Sequence, residues 1–350
     1  MTPWAPLALT TITAALLALP ISPALFELWK RADAAPLPTT RHDGRIANFA
    51  EVFHSRLEPL RPQLEQCRTE RKTSRTSIVG MKVLLVGSDD FDFDPRLTEG
   101  IDALMFSAAA MIPAGRVVDA DVYADGALAL GQGAALRAAM GVGDIVLEKH
   151  SSVLRWMHAR GSIYLRQGSA AYGRLSAEQS IRLERGCAFE HMHAPQILTV
   201  EGSEDSQEAR DLPVGGACDV FLSSRPRIRV QGNFVLPARE TLNANVIATG
   251  ELRLGAGARL FGSAKSYKDT VLDEDARVHG SIVSRETIRL GSRCFVAGPV
   301  TAEGDVLIAR GSRVGAPDAL TTISSGSAQI APGCHLHGTV WARVRGIVEG

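Results

Sequence analysis

Aromatic side chains are scarce in this chain of 350 residues, at 5 % of the total. A core built around large rings is therefore excluded. Apolar residues still make up 45 %, and there are 33 glycines, a composition that suits thin repeated layers of small aliphatic side chains. Cysteine is limited to five residues without paired or CxxC spacing. That rules out a disulfide framework and a Cys-rich zinc module, and it fits a reducing compartment. An excess of one charge is also missing: 38 Lys and Arg balance 38 Asp and Glu. Bulk-charge binding of nucleic acid is thus not expected, and no nucleic-acid partner is assigned. The run VLLVGS at 83–88 lacks a GxGxxG and has no alternating helices after it, so it does not read as a nucleotide fold. With no phosphate-cradling loop and no Ser/His/Asp arrangement standing out, the chain reads as a non-enzyme without catalytic residues, cofactor or metal.

Charge is absent from one long stretch. Trp4 to Phe26 holds 23 uncharged residues, about 34 Å as a helix, which is enough to span a hydrocarbon layer. The spacing predicts a transmembrane anchor over 1–31, with Leu7, Leu9, Ile12, Leu16, Leu17, Leu19 and Phe26 in the apolar layer and Trp4 and Trp29 at its borders. A secretory signal would need a basic start, which MTPW lacks. Lys30, Arg31, Arg41 and Arg45 follow the span. The positive-inside rule then places the C-terminal bulk in the cytoplasm of a single-pass protein of the inner membrane.

Residues 32–80 read as a juxtamembrane linker. Ile46, Phe49, Ala50, Phe53, Leu57, Leu60 and Leu64 recur at helical spacing, giving an amphipathic helix bent at Pro59 and Pro62. Ten Lys/Arg against six Asp/Glu between 30 and 75 leave two readings open: a helix on an anionic leaflet, or one packed on the following domain.

Internal repetition dominates the remainder. Blocks of 18 residues stack at 125–142, 143–160, 161–178 and 179–196, then at 250–267, 268–285 and 286–303. Block 304–325 carries four extra residues, and 326–343 returns to register. Within each block apolar residues alternate with period two, the strand period. A first inward pair is Ile145/Leu147, Ile163/Leu165, Ile181/Leu183, Leu252/Leu254, Ile288/Leu290, Val306/Ile308 and Ala328/Ile330; the same phase puts Ala127 and Ala129 inward in the first block and Ala109, Met111 and Val117 upstream of it. A small residue and an apolar one follow, as in Cys187/Phe189, Ala258/Leu260, Cys294/Val296 and Cys334/Leu336; a third pair, as in Met157/Ala159 and Val300/Ala302, closes the turn. Three short strands per 18 residues describe a single-stranded parallel β-helix over 81–350, an all-β fold whose coils bury their interiors only by stacking. MKVLLVG at 81–87 reads as the strand that caps the first coil. Residues 197–232 break the phase as an insertion, and Ser223 to Val235 reads as a strand pair re-entering the stack.

The line LRLGAGARLFGSAKSYKDTVLDEDARVHGSIVSRETIRLGSRCFVAG, with Ala258-Arg259-Leu260-Phe261-Gly262 and Ala276-Arg277-Val278-His279-Gly280 at its turns, resembles the bactofilins, bacterial polymer-forming cytoskeletal proteins. The likeness is strongest over 250–343 and looser over 125–196. It implies a right-handed β-helix, end-to-end assembly of copies without nucleotide, association with the membrane, and recruitment of an envelope or polysaccharide-synthesis protein. The chain departs from the family in its long N-terminus and in the interruption near residue 200. The expected assembly end is the last coil, where Leu336, Val340, Trp341, Val344 and Ile347 would lie open to a second copy.

The rival architecture is a left-handed β-helix acyltransferase acting on envelope or polysaccharide precursors, whose coil is also 18 residues long. A β-helix carbonic anhydrase is a further rival and would need three histidines across subunits. His191-Met192-His193 and His335-Leu336-His337 are the candidate imidazoles, because residues i and i+2 of a strand share a face. The phase turns His335 and His337 to solvent and His193 inward, beside Met157 and Leu175. Cys187, Cys294 and Cys334 share the small inward slot and are expected to be inert.

Overall fold

The computed structural model describes residues 47–88, 91–201 and 226–349, together with 4, 8–11 and 13. Ile46–Gly350 is one compact unit and Met1–Arg45 another. Of the expected anchor, Trp4 and Leu9 are helical and exposed; Leu7, Ile12, Leu16, Leu17, Leu19, Phe26 and Trp29 lie outside the described residues. Among the described residues, no helix is long and apolar enough to cross a membrane.

The main unit is a β-solenoid. Inward side chains of successive coils stack in register, as in Ile145–Ile163–Ile181 and Leu252–Thr270–Ile288–Val306. They form one continuous apolar core that includes Leu147, Leu165, Val278, Val296 and Ile308. Each coil turns one corner in the left-handed backbone region. Gly115, Gly133, His150, Gly168 and Gly186 occupy it in the first half, and Arg239, Gly257, Asp275, Arg293, Gly311 and Gly333 in the second. Glycine is favoured there because it has no Cβ to crowd the carbonyl. The four extra residues near 316–319 form a small loop closed by mutual Ala316–Ala319 backbone hydrogen bonds.

The expected single stack is in fact two. Parallel coils run from 81 to 199 and again from 226 to 348, and the last coils of the two stacks meet. The strand Ala188–Thr199 pairs antiparallel with His335–Val348, with Met192 opposite Val340, Ile197 opposite Leu336 and Ala188 opposite Ile347. The interruption near 200 is also narrower than 197–232. Ile197 and Leu198 still pair with the coil below, and Arg227–Val230 and Phe234–Leu236 are strands of the second stack's first coil. Residues 202–225 lie outside the described part.

Of the two readings left open for the amphipathic segment of 32–80, the structure shows the packed one from residue 47 onward. Helix α1 (Asn48–Leu57), a 3-10 turn and helix α2 (Arg61–Glu70) lie on the solenoid. Their apolar stripe of Ala50, Phe53, Leu57, Leu60, Leu64 and Cys67 closes a second core over Leu85, Met105, Met140 and Trp156. A stripe with that much apolar area is driven off water by whatever apolar surface is nearest, which here is the solenoid's own outer face. The strand Thr73–Ile78 then forms a hairpin with Met81–Val86, so MKVLLVG does not itself end the stack.

Two stretches of the expected inward phase are corrected. Leu128, Leu130, Ile112 and Val118 are buried, whereas Ala127, Ala109, Met111 and Val117 are exposed. One coil is a residue short: Val118 and Asp121 face Leu136 and Ala138 of the next turn. The second shortening is at Phe189–His191, which pair with Ala171 and Arg174. It turns Met192 inward and His193 outward. A one-residue slip exchanges the two faces of a strand, so counting by eighteens across either site inverts the assignment.

Candidate functional site

The end expected to be free is occupied by the chain itself. Leu336 and Val340 are buried in the junction between the stacks, and Ile347 is half-buried. Trp341 packs edge-on against His191, ring centroids 4.5 Å apart, and is still 45 % exposed, while Val344 is 72 % exposed. The approach at this junction is close. A Cβ on Gly346 would lie 2.1 Å from the ring of Phe189.

The same junction covers the histidines. His337 is buried and its Nδ1–H donates to the carbonyl of Pro195 at 2.9 Å. His335 pairs with Leu198 and is half-buried. The expectation that both are solvated is corrected, because the antiparallel strand of the first stack lies against them. Burial lowers both imidazoles below their usual value, aided by the charge of Arg313. His193 turns out of the core and its Nδ1 lies 2.9 Å from Thr339 Oγ1. Among the described residues no group of three His, Cys, Asp or Glu is arranged to hold a metal ion.

The cysteine slot is as expected. Cys187, Cys294 and Cys334 are buried and inward, and burial pushes the Cys294 thiol up to about 12 and that of Cys334 to about 11. Cys67 is buried on the inner face of α2, and Cys218 lies outside the described residues.

One group of three resembles catalytic machinery in composition. His158 Nδ1 is 2.8 Å from Ser176 Oγ, and its Nε2 is 3.8 Å from Glu178. Both His158 and Ser176 are buried. Burial, with Arg160 nearby, holds the imidazole down to about 4, so it stays neutral and ties adjacent coils together. A second polar cluster docks the helices. Arg61 bonds Tyr123 Oη and Asp125 at 3.2 and 3.3 Å, while His54 stacks on the Tyr123 ring. Burial beside Asp125 raises the Tyr123 phenol to about 12.

Two features escape the sequence reading. The first is the far end of the second stack. In coil 226–243 the inward positions Ile228, Val230, Phe234 and Leu242 are only half-buried, while their counterparts one coil on, Val246, Ala248, Leu252 and Leu260, are sealed. Each strand of this coil pairs on one side alone among the described residues. The block 232–249 carries the repeat pattern in its sequence, with Phe234 and Leu236 preceding Leu252 and Leu254 by 18. The second is an outward row that crosses both stacks in unbroken register: Thr241, Arg259, Arg277, Phe295, Arg313 and His335, then Leu198, Arg182, Tyr164, Val146, Ala129 and Met111.

Compared with family models, with curated proteins and with solved structures, the chain matches none.

Proposed function

We propose that this chain is a non-enzymatic, self-assembling scaffold of bactofilin type. In this reading the solenoid winds right-handed in the bacterial cytoplasm, and the N-terminal span holds it to the inner membrane as a single-pass protein. Copies join through solenoid ends and gather an envelope or polysaccharide-synthesis protein. The observation that carries the reading is coil 226–243, whose outer strand edges no described residue pairs with. It offers Ile228, Val230, Phe234 and Leu242 beside a row of strand edges, and such an edge pairs with another strand when one is presented. Copies confined to a surface meet at raised effective concentration, so even a weak edge contact would suffice for assembly.

The full chain in mild detergent tests this by sedimentation and negative-stain microscopy. The parent should form assemblies that grow with concentration. Ile228→Glu with Leu242→Glu should remain small while keeping the parent's circular dichroism. Assemblies of unchanged size in the double variant, or a parent that stays monomeric at every concentration, would refute end-to-end assembly through this coil.

A further inference from the structure

The outward row differs in its chemistry from the adjacent face that carries Arg253 and Arg289. Arg253 and Arg289 on the adjacent face are each matched by a carboxylate, Asp273 at 3.0 Å and Asp269 at 2.7 Å. Arg259, Arg277 and Arg313 form no close ion pair with a carboxylate among the described residues, although the charge of Arg277 is felt at Asp275, and Arg182 lies 5.6 Å above the Tyr164 ring. The bordering carboxylates are engaged elsewhere. Asp144 accepts from the Ser162 N–H at 2.7 Å, Glu184 pairs with Arg166 at 2.8 Å, and Asp275 with Arg293 at 2.8 Å. Glu148 and Glu240 lie exposed at corners, next in the chain to Lys149 and Arg239 and without an ion pair among the described residues.

The row is also long and straight. Twelve strands about 4.8 Å apart extend it to roughly 50 Å. It stands on a strand face rather than in a groove. The rings of Phe261 and His279 beside it stack on each other at 4.4 Å with planes 10° apart, so they turn their faces to one another and not outward. That arrangement does not suit base stacking, the main contact of single-stranded nucleic-acid sites. A line of guanidinium groups interspersed with Tyr164, Phe295 and the 68 % exposed Met111 does suit a headgroup layer, where arginines meet anionic lipid and apolar groups touch the acyl border.

We propose that this face lies on an anionic lipid surface, setting the solenoid axis parallel to the bilayer. The inference does not depend on the N-terminal span, which would tether the chain but leave its orientation free.

Residue-resolved arginine labelling with phenylglyoxal, read by peptide mass spectrometry, tests it on the full chain. The chain is mixed with vesicles of phosphatidylcholine alone or of phosphatidylcholine with phosphatidylglycerol. Arg259 and Arg277 should be protected at least about tenfold more by the anionic vesicles, and about 0.5 M salt should remove that protection, as screening requires. Arg155 and Arg253, off the row, should label equally in both. Arg259→Glu with Arg277→Glu should remove the lipid-dependent protection of Arg313. Retention on neutral vesicles reports the span separately, so its failure is not confused with failure of the face. Equal labelling of Arg259 and Arg277 with both vesicles would overturn the proposal. So would protection that depends on protein concentration and not on lipid, or equal protection by a single-stranded oligonucleotide or by inorganic phosphate.

Discussion

Met192 and Val340, 148 positions apart in the chain, face each other across an antiparallel strand pair inside the core. The contact joins two stacks whose coils are otherwise parallel, and it makes the C-terminal coil an interior layer of the molecule.

That relationship separates two neighbouring valines. Val340→Asp puts a carboxylate into the sealed junction and should cost about 3 kcal/mol or more. Val344→Asp, on the exposed side, should change stability by less than about 0.5 kcal/mol. Urea unfolding of the two variants beside the parent measures the difference. Similar midpoints for both would mean that the last coil is not an interior layer. Gly346→Ala should behave like Val340→Asp in direction, because its Cβ would collide with Phe189.

The shortened coil makes a register prediction. Leu128 is buried and Ala127 exposed. Leu128→Ala should therefore destabilise by about 2–5 kcal/mol, the usual cost of a cavity of that size, whereas Ala127→Ser should be nearly silent. The opposite order in thermal melts would restore the uniform 18-residue count.

The thiols should be quiet in the native protein. Cys67, Cys187, Cys294 and Cys334 are buried, and burial raises all four pKa values, which starves them of thiolate. A thiol-reactive chromogenic reagent at pH 8 should leave these four unlabelled until guanidinium is added. Rapid native labelling of Cys294, identified by peptide mass, would contradict its place in the core.

His158 supplies a pH dependence with a definite sign. Its folded value of about 4 lies below the unfolded value of 6.5, so between those limits the unfolded chain binds the extra proton. The stabilisation is fully present above about pH 6.5 and is lost as the pH falls toward 4, amounting to about 2–3 kcal/mol by pH 4.5. His158→Gln does not titrate and can still bond Ser176. Its stability should drop between pH 7 and 4.5 by about 2–3 kcal/mol less than the parent's. Identical drops would place the titrating groups elsewhere, for instance at His335 and His337.

Much of this architecture is local enough to read from the chain. The inward pairs Ile163/Leu165, Cys294/Val296 and Val300/Ala302 sit where period-two alternation and an 18-residue repeat put them, because each coil must present its apolar side chains to the next. The stripe Phe53–Leu57–Leu60–Leu64 likewise announced a helix with one dry face, though not the surface that would dry it. What escaped were the single-residue deletions near 137 and 190. A deletion leaves alternation intact on either side while exchanging the faces, and the outcome at Met192 and His193 depends on the partner strand.

The sequence by itself determined that the chain repeats, that its repeat is a strand-built coil, and that small residues including Cys187, Cys294 and Cys334 line one inner corner. These follow from side-chain size and periodicity within a single turn. Only the tertiary structure decided that the second stack returns to meet the first. That choice buries Leu336 and Val340, covers His337 with the Pro195 carbonyl, and leaves coil 226–243 paired on one side alone among the described residues. The reason is physical: any terminal coil has an apolar interior and unpaired edges to satisfy, and no pattern inside that coil specifies which other strand will satisfy them.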